Sequence, residues 1–369
     1  MQSKPKVVSL FTGAGGIDIG FEKAGFDIVL AVDNWEPACD TITINNPNRL
    51  VLFKDIRGID FHQVQDEYNL GNIDVVIGGP PCPPYSKSRF YLKNKKRALE
   101  DENSYALAEY FRALEELKPT VFFFENVHGF AYKPHKDALD YLINRSRQLD
   151  YNISYKVINA ANYGVPQIRE RFICIGVKRG LPPFQFPSAT HYDPLKFDEI
   201  RDSRKPWVNC KDAIGNLDFE LPEDSQMQAG SKHKDLLKQI PPGDNYLYFT
   251  EKRGYPNPEF KWRSRYWSFL LKLAPEKPSW TIQASHSNNM GPFHWKNRFL
   301  RISEIKRIQT FDDTYQLVGN YNTQWRLVGN AVPPLVAKVF ADAIYLQLFN
   351  SNSDQATSPF QLELSGLKL

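Results

Sequence analysis

Cysteine and histidine are scarce in this sequence of 369 residues, which has four cysteines and seven histidines. The cysteines lie far apart, at Cys39, Cys82, Cys174 and Cys210, with no C-x-x-C pair and no paired histidines at metal-ligand spacing. This pattern argues against a disulfide framework and against a zinc site. We therefore predict a protein of a reducing compartment, the cytoplasm, with no bound metal ion.

Long apolar runs and a large net charge are absent as well. No apolar stretch approaches the ~18 residues at which a membrane span becomes plausible. Residues 1–6 are polar and lead straight into a predicted strand, so we expect neither a membrane span nor a signal peptide. The net charge of +4 and the pI near 8.6 favour polyanions only mildly. A phosphate-binding loop of the G-x-x-x-x-G-K type is missing, which disfavours ATP hydrolysis.

The first half of the chain alternates short apolar runs with amphipathic segments. Continuous apolar runs predict strands at residues 6–11, 28–32, 73–77, 121–124, 154–160 and 172–177. Helical spacing occurs at residues 17–24, 36–44, 105–117, 136–149, 302–310 and 335–348. Alternation of this kind predicts an α/β fold, a doubly wound, mostly parallel, Rossmann-like sheet.

The character of the sequence changes near Gly180, where proline, aromatic and charged residues replace regular periods. We predict a first domain over residues 1–180 and a second, smaller, loop-rich domain over residues 181–324. A C-terminal helix over residues 325–349 is expected to return to the first domain, and residues 350–369 to form a polar tail.

The first predicted strand ends in the glycine-rich turn Phe11-Thr12-Gly13-Ala14-Gly15-Gly16, which leads into a helix. Glycines at such a turn let the backbone approach a ligand that faces the helix N-terminus. The next strand ends in Asp33, an acid for ribose hydroxyls, and Trp35 offers a ring for adenine. Asp55 follows the end of a third strand and could supply a further polar contact to the base. Together these residues predict a nucleoside cofactor, although tight turns also occur without a ligand.

Cys82 follows a predicted strand and lies between prolines, in Gly79-Pro80-Pro81-Cys82-Pro83-Pro84. Prolines restrict this turn to few conformations, which suits a nucleophile that needs a fixed line of attack. A buried cysteine beside a rigid turn is the alternative.

Glu125 directly follows Phe122-Phe123-Phe124 at a predicted strand end. Apolar surroundings raise the pKa of a carboxyl, which suits an acid that hydrogen-bonds or protonates a ring nitrogen. A capping or salt-bridged glutamate is the alternative.

The segment Gln167-Ile168-Arg169-Glu170-Arg171 has period-2 spacing, which directs Gln167, Arg169 and Arg171 to one face of a strand. Two guanidiniums there could bind a carbonyl oxygen or a phosphate. Surface pairing of arginine with glutamate is the alternative.

Six cations occur in residues 86–97, just after Cys82. Such a run is commonly a solvated loop, but beside a reactive thiol it also favours contact with phosphate. Aromatic residues mixed with cations at residues 262–267 indicate a second nucleic-acid surface, with packing of some of these rings in the core as the alternative.

These motifs, in this order, resemble the DNA (cytosine-5)-methyltransferases of bacterial type II restriction–modification systems. That family has a Phe-x-Gly-x-Gly turn, a Pro-Cys nucleophile, a Glu-Asn-Val triplet and a Gln-x-Arg-x-Arg segment. After a variable recognition region it has a Gly-Asn-Ser/Ala-Val motif, which here is Gly329-Asn330-Ala331-Val332. Residues 298–315 resemble the family segment before that motif, and Thr281-Ile282 resembles the Thr-Leu dipeptide of its recognition regions.

The resemblance implies methyl transfer from S-adenosylmethionine to carbon 5 of a cytosine flipped out of duplex DNA. Cys82 would attack carbon 6 of the ring while Glu125 engages nitrogen N3. Arg169 would bind the cytosine carbonyl, with Arg171 in support. The residues expected to contact S-adenosylmethionine are Phe11, Gly13, Gly15, Gly16, Asp33, Trp35, Asp55, Ile56, Pro80, Asn330 and Val332. Those expected to contact DNA are Ser86, Lys87, Arg89, Gln167, Thr281, Ile282 and Arg298.

The resemblance further implies double-stranded DNA as partner, functional pairing with a restriction endonuclease, and a monomer in the cytoplasm at the nucleoid. Two departures from the family pattern are Pro83, where glutamine usually follows the cysteine, and Ser9, where aspartate is common. The alternatives are an RNA cytosine-5 methyltransferase, an exocyclic-amino methyltransferase or a catalytically silent DNA-binding protein. The long second domain favours DNA over RNA. The thiol and its accompanying motifs argue against an amino methyltransferase and a silent protein.

Overall fold

The computed structural model describes residues 3–81, 105–132, 136–196, 203–222, 224 and 227–350. The strands of the central sheet are β1 Lys6–Leu10, β2 Asp27–Asp33, β3 Leu50–Phe53, β4 Val75–Gly78, β5 Val121–Val127, β6 Tyr151–Asn159 and β8 Glu170–Lys178. Their order across the sheet is β3-β2-β1-β4-β5-β8-β6. The first five strands are parallel, and β8 lies antiparallel between β5 and β6. The predicted α/β class with a mostly parallel, Rossmann-like sheet is confirmed.

Ten α-helices connect or follow these strands within the described ranges. They are α1 Gly16–Lys23, α2 Glu36–Asn45, α3 Phe61–Glu67, α4 Tyr105–Leu117, α5 Lys136–Gln148, α6 Cys210–Ile214, α7 Lys234–Gln239, α8 Ile302–Ile308, α9 Tyr321–Asn330 and α10 Pro334–Leu348. The shorter strands are β7 Gln167–Ile168, β9 His191–Tyr192, β10 Lys205–Pro206 and β11 Ser279–Trp280. Apolar periodicity predicts α1, α2, α4, α5, α8 and α10. It misses α3, α6, α7 and α9, which have only five to ten residues each.

Helices bury both faces of the sheet, as the alternating side chains of β5 illustrate. Phe122 and Phe124 pack with Phe111 of α4 on one face, whereas Phe123 packs with Phe340 of α10 on the other. Because each face is covered by helices, the strands are continuous apolar runs and lack hydrophobic–polar alternation. Burial of each such ring contributes about 1.5–3 kcal/mol to folding.

Helix α10 returns to the sheet and packs directly against α1. A β-carbon at Gly20 of α1 would lie 2.4 Å from the β-carbon of Ala337 of α10, so only glycine permits this close crossing. The stretch Tyr321–Leu348 has the length and composition of a membrane span, but 78% of its most apolar window is buried inside the protein. Its apolar character is therefore accounted for by packing in the core.

The region after β8 contributes two further apolar clusters. One lies within the loop-rich region and includes Leu237, Phe249, Leu270 and Phe293. The other joins that region to the rest of the chain, because it contains Ala14 of the glycine-rich turn together with residues of α8 and α9. The domain boundaries at residues 180, 324 and 349 stay predictions.

Candidate active site

The polar residues of interest gather at one edge of the central sheet. The parallel strands β1, β2, β4 and β5 end at Leu10, Asp33, Gly78 and Val127, and their carboxyl ends share that edge. Strand β8 runs the other way, so its first residues lie at the same edge, with Arg171 opposite Val127. Ligands of open α/β sheets bind at this kind of edge.

The glycine-rich turn after β1 has a backbone that favours glycine. Gly13 and Gly15 have positive φ angles of 54° and 74°, and Phe11 also has a φ of 54°. A β-carbon at Gly16 would lie 2.1 Å from the carbonyl oxygen of Val332. The turn is therefore in direct contact with the Gly-Asn-Ala-Val motif that the sequence places in the same predicted cofactor site. Asn330, at the end of α9, is exposed there.

Asp33 links the first two loops of this edge, which are the loop after β1 and the loop after β2. Its Oδ2 accepts a hydrogen bond from the Gly13 amide at 2.8 Å, and its Oδ1 accepts one from the Trp35 amide at 2.9 Å. Burial raises the pKa of this carboxyl, and the backbone amides oppose that rise. The sequence predicts that Asp33 binds ribose hydroxyls. In the structure both of its oxygens already hold backbone amides, so its first effect is to shape the turn.

Trp35, the ring predicted to contact adenine, is half-buried beneath a cation. The guanidinium carbon of Arg326, in α9, lies 4.3 Å from the centroid of the Trp35 ring system. A cation at this distance is attracted by the ring. Helix α9 therefore contributes to the surroundings of the second loop.

In the third loop, which follows β3, Asp55 is paired with Arg57. Asp55 caps a 3₁₀ turn by accepting from the Arg57 amide at 2.9 Å, and its carboxylate binds the Arg57 side chain at 2.7 Å. Ile56 beside it is buried. The contact of Asp55 and Ile56 with a nucleoside base stays a prediction.

Ser9, which departs from the family pattern, hydrogen-bonds to an acid supplied by α1. Its hydroxyl donates to Oδ1 of Asp18 at 2.6 Å, and the Thr12 hydroxyl donates to the other oxygen at 3.2 Å. Arg49 lies 3.4 Å from the same carboxylate. A buried carboxylate therefore supports the start of the turn although position 9 is serine.

Glu125 and Arg171 form an ion pair at the same edge. Nε of Arg171 lies 2.8 Å from Oε1 of Glu125, and about a tenth of each side chain is exposed (12% and 11%). Burial raises the pKa of Glu125, while the nearby cations Arg171 and Arg169 lower it in part. The pKa of Arg171 is lowered, chiefly by burial. An acid and a guanidinium therefore lie side by side, and each side chain is mostly buried but keeps a small exposed fraction.

The carboxylate of Glu125 reaches the segment that precedes Cys82. A β-carbon at Gly79 would lie 2.8 Å from Oε2 of Glu125, so glycine makes room for that oxygen. The next side chain, Asn126, donates to the carbonyl oxygen of Pro80 at 3.3 Å. Two consecutive side chains of β5 therefore contact Gly79 and Pro80, a few residues before Cys82.

Arg169 differs from its predicted role. Its side chain is fully buried, and its guanidinium donates to the carbonyl oxygens of Ile282, Gly329 and Ala331, each at 2.9 Å. These contacts occupy both terminal nitrogens of the guanidinium. The structure therefore does not support the prediction that Arg169 binds a cytosine carbonyl. Arg169 instead joins the β7–β8 segment to Ile282 and to the Gly-Asn-Ala-Val motif. Arg171 is the guanidinium that remains accessible at the edge.

Residues 5–346 match the family described as C-5 cytosine-specific DNA methylase. The chain belongs to this family. It is 37% identical to the Type II methyltransferase M.SacI of Streptomyces achromogenes, over the full length of both chains. It is 30% identical to the Type II methyltransferase M1.HphI of Haemophilus parahaemolyticus, over 91% of this chain and 86% of that one. The structure of the Entamoeba histolytica methyltransferase EhMeth has the same fold, with a TM-score of 0.63 and 19% identity, over 95% of this chain and 100% of that one.

The chain is thus a DNA (cytosine-5-)-methyltransferase, as its motifs predict. Several of the predicted site residues of the methyltransferase lie outside the described residues, namely Cys82, Ser86, Lys87 and Arg89. Their roles stay predictions. Of the predicted cofactor residues, Phe11, Gly13, Asp33 and Trp35 lie together at the sheet edge, and Gly16 contacts Val332.

Three residues of the methyltransferase that the sequence predicts to contact DNA are buried instead. The Gln167 amide accepts from the Ile282 amide at 2.9 Å and donates to Gln309 at 2.8 Å. Ile282 is fully buried in an apolar cluster, and Arg298 donates twice to Glu304, at 2.9 and 2.7 Å. The prediction is therefore wrong for these three side chains, because buried groups that satisfy one another are not free to bind DNA.

Thr281 is half-buried, and its hydroxyl donates to the carbonyl oxygen of Ile168 at 2.7 Å. Thr281 and Ile282 directly follow β11, and β11 is hydrogen-bonded in parallel to β7. The dipeptide that resembles the family's recognition-region motif therefore attaches that region to the strand leading to Arg169 and Arg171.

The other cysteines of the methyltransferase are poor candidates for a nucleophile. Cys39, Cys174 and Cys210 are buried, and burial raises the pKa of each thiol, in the case of Cys39 to about 12. A thiol with a raised pKa carries little thiolate, the reactive form, at neutral pH. Among the described residues, no group of three or more histidines, cysteines or acids could hold a metal ion.

Two residues with a clear place in the site were missed by reading the sequence. Gln309 donates from its amide to the carbonyl oxygen of Val328 at 2.6 Å, and Tyr315 donates to that of Ala14 at 2.8 Å. Both lie in the segment that resembles the family pattern, which was the only local signal for them. Their partners are distant in the chain, so spacing alone does not reveal these contacts.

Proposed function

We propose that this methyltransferase methylates carbon 5 of a cytosine that is flipped out of double-stranded DNA, through a covalent bond between Cys82 and carbon 6. The observation that carries the proposal is the Glu125–Arg171 pair, whose carboxylate touches Gly79 in the segment before Cys82. An acid, a guanidinium and a thiol are the three groups that addition to a cytosine ring requires.

S-Adenosylmethionine is the methyl donor that fits the first two loops. The backbone at Gly13 is open, since no atom would lie within 4 Å of a β-carbon there, and it borders Asp33 and Trp35. The donor supplies an electrophilic methyl group. We assign its binding to Phe11, Gly13, Gly15, Gly16 and the residues of the Gly-Asn-Ala-Val motif. Asp33 holds the turn in place.

Each side chain has one task in the proposed reaction. The Cys82 thiolate forms a bond to carbon 6, and the electron pair displaced from the ring double bond makes carbon 5 nucleophilic. Glu125, whose pKa burial raises, donates a hydrogen bond to ring nitrogen N3 and stabilises the charge that develops there. Arg171 donates to the carbonyl oxygen. Once carbon 5 carries the methyl group and S-adenosylhomocysteine has been released, carbon 5 gives its proton to a solvent base. The electron pair of that carbon–hydrogen bond re-forms the ring double bond, the bond from carbon 6 to sulfur breaks, and Cys82 leaves as a thiolate.

The target base must leave the duplex for this chemistry. Flipping costs a few kcal/mol because stacking and pairing are lost. We assign contact with the DNA around the flipped base to Ser86, Lys87 and Arg89, which follow Cys82. The charges of Lys87 and Arg89 favour phosphate, and the Ser86 hydroxyl can donate a hydrogen bond to it. We assign DNA contact in the recognition region to the cationic and aromatic surface at residues 262–267. Nearby, Nζ of Lys252 lies 4.6 Å from the ring centroid of Trp262 and adds a further cation to this surface.

The relatives that carry the name Type II methyltransferase support a proposal for the biological setting. We propose that the enzyme acts as a monomer on DNA in the cytoplasm, at the nucleoid, and protects sites that a partner restriction endonuclease would otherwise cleave. Bisulfite sequencing of DNA from a methylation-free host that expresses the chain tests the reaction. We expect 5-methylcytosine at one recurrent sequence. Unmodified DNA, or modified RNA alone, would refute the proposal.

A further inference from the structure

The segment that connects α8 to α9 is fixed to both helices that follow the first two loops. Lys23 of α1 lies 2.7 Å from the carboxylate of Asp312. Asn45 of α2 pairs with the backbone of Gln316, accepting from its amide at 2.9 Å and donating to its carbonyl at 2.8 Å. The Val318 amide donates to the Thr41 hydroxyl at 3.3 Å. Residues 312–318 therefore have a defined position against α1 and α2.

Tyr315, in the middle of that segment, contacts the glycine-rich turn itself. Its hydroxyl donates to the carbonyl oxygen of Ala14 at 2.8 Å. A β-carbon at Gly15 would lie 3.0 Å from this hydroxyl and 2.5 Å from Cδ1 of Ile42. The turn thus passes between Tyr315 and Ile42 with no spare room. Burial raises the pKa of the Tyr315 hydroxyl, so it stays protonated and remains a donor at neutral pH.

The backbone of Tyr315 is itself held from α8. Nζ of Lys306 donates to the carbonyl oxygens of Asp313 and Tyr315, each at 2.7 Å. The turn is also held by Asp33, which accepts from the Gly13 amide. Two adjacent residues of the turn, Gly13 and Ala14, are therefore fixed by two separate partners, Asp33 at the sheet edge and Tyr315 in the α8–α9 segment.

We infer that Tyr315 is a positioning residue for S-adenosylmethionine. It acts through Ala14: its hydroxyl keeps the carbonyl of the turn in one orientation, so that the neighbouring backbone is ready to receive the donor. Pre-organisation of this kind removes part of the ordering cost of binding. The inference rests on the proposed use of S-adenosylmethionine. It assigns to the α8–α9 segment, at residues 312–318, a part in donor affinity rather than in DNA binding.

Replacement of Tyr315 by phenylalanine tests this, because it removes only the hydroxyl. For Tyr315→Phe we expect the Kd for S-adenosylmethionine and for S-adenosylhomocysteine to rise about three- to tenfold, the loss typical of one hydrogen bond. The KM for S-adenosylmethionine should rise in parallel. The KM for DNA and kcat at saturating donor should change by less than about twofold, since no contact to DNA or to the reacting groups is lost.

Tyr321→Phe is the matched control. The Tyr321 hydroxyl donates to the carbonyl oxygen of Leu300 at 2.7 Å, and burial also raises its pKa, but it contacts no part of the turn. This variant should lose a similar amount of thermal stability and keep the wild-type Kd for both ligands. A specific rise in Kd for Tyr315→Phe supports the positioning role. Equal effects in the two variants, or no effect in either, would overturn it.

A second variant keeps the test decisive if Tyr315→Phe does not fold. Asn45→Ala removes both bonds to Gln316 and loosens the segment without touching the turn, so a rise in the donor Kd in the same direction is expected. An unchanged Kd there would refute the inference. Failure of the wild-type enzyme to bind either ligand would refute the use of S-adenosylmethionine instead, which separates the two claims.

Discussion

Arg171 and Glu125 are diagonal neighbours on adjacent antiparallel strands, and this register brings Nε of Arg171 to 2.8 Å from Oε1 of Glu125. Glu125 lies opposite Ile173, and Arg171 lies opposite Val127, so the two charged side chains share one face of the sheet. The sheet register therefore brings together an acid and a guanidinium from two segments about 45 residues apart in the chain. Neither segment alone would form the pair.

Removal of the Arg171 charge should shift the pH dependence of methyl transfer. The cation lowers the pKa of Glu125, which burial otherwise raises, so Arg171→Met should raise that pKa further. If protonated Glu125 is the active form, activity is lost as pH rises through this pKa. We therefore expect the alkaline limb of the kcat profile to move to higher pH, with a rate at least about 100-fold lower at pH 7.

Arg171→Lys is the control for this prediction, because it keeps the positive charge and loses the planar donor geometry. Its rate should fall, but its alkaline limb should stay close to that of the wild type. An alkaline limb that does not move in Arg171→Met, or moves to lower pH, would contradict the role given to Glu125. Single-turnover rates across pH 5–10 measure it directly.

Cys82→Ser should abolish methyl transfer and leave S-adenosylmethionine binding intact, because the hydroxyl is a far weaker nucleophile than a thiolate. DNA with 5-fluorocytosine at the target should trap a denaturation-resistant adduct with the wild-type enzyme, since fluorine blocks the loss of the carbon 5 proton. Electrophoresis after denaturation detects that adduct. Cys210→Ala, at a fully buried thiol in α6, should retain the adduct and the activity. Turnover by Cys82→Ser would rule out the covalent mechanism.

Local patterns predict the frame of this site well. The apolar run before Glu125 predicts a buried strand end, and the strand and its acid lie there. The glycine-rich turn, Asp33 and Trp35 are predicted by their order, and hydrogen bonds join them. These features could be predicted because strand ends of a parallel sheet share one edge, whatever the details of packing.

The part that sequence does not predict depends on contacts distant in the chain. The acceptors of Arg169 lie 113, 160 and 162 residues away, and that of Tyr315 lies 301 residues away. Period-2 spacing predicts Arg169 and Arg171 on one face of a strand, but Arg169 lies between β7 and β8, outside both strands. The spacing does not reveal that Ile282 and the Gly-Asn-Ala-Val motif bind the guanidinium of Arg169 and leave that of Arg171 partly exposed.

Arg169 and Arg171 should therefore respond differently to the same substitution. Arg169→Met would leave the buried carbonyl oxygens of Ile282 and Gly329 without their donor, and that of Ala331 with only the 3.3 Å bond from Gln309. The free energy of unfolding should therefore fall by at least about 3 kcal/mol. Arg171→Met removes a partly exposed side chain and should change stability much less while it reduces activity strongly. Chemical denaturation together with a methyl-transfer assay compares the two. A stable but inactive Arg169→Met enzyme would return this residue to a direct role in catalysis.

Gly13 and Gly180 form a matched pair that tests where the methyl donor binds. Both have positive φ angles, 54° and 96°, and no atom would lie within 4 Å of a β-carbon at either position. Alanine at either site should lower the free energy of unfolding by about 1 kcal/mol, because a side chain disfavours this backbone conformation. Only Gly13→Ala should also raise the Kd for S-adenosylmethionine, by at least about tenfold, because its methyl group fills the space over the turn that we assign to the donor. Calorimetry on both variants decides the matter: equal donor affinity in Gly13→Ala and Gly180→Ala would place the donor elsewhere on the enzyme.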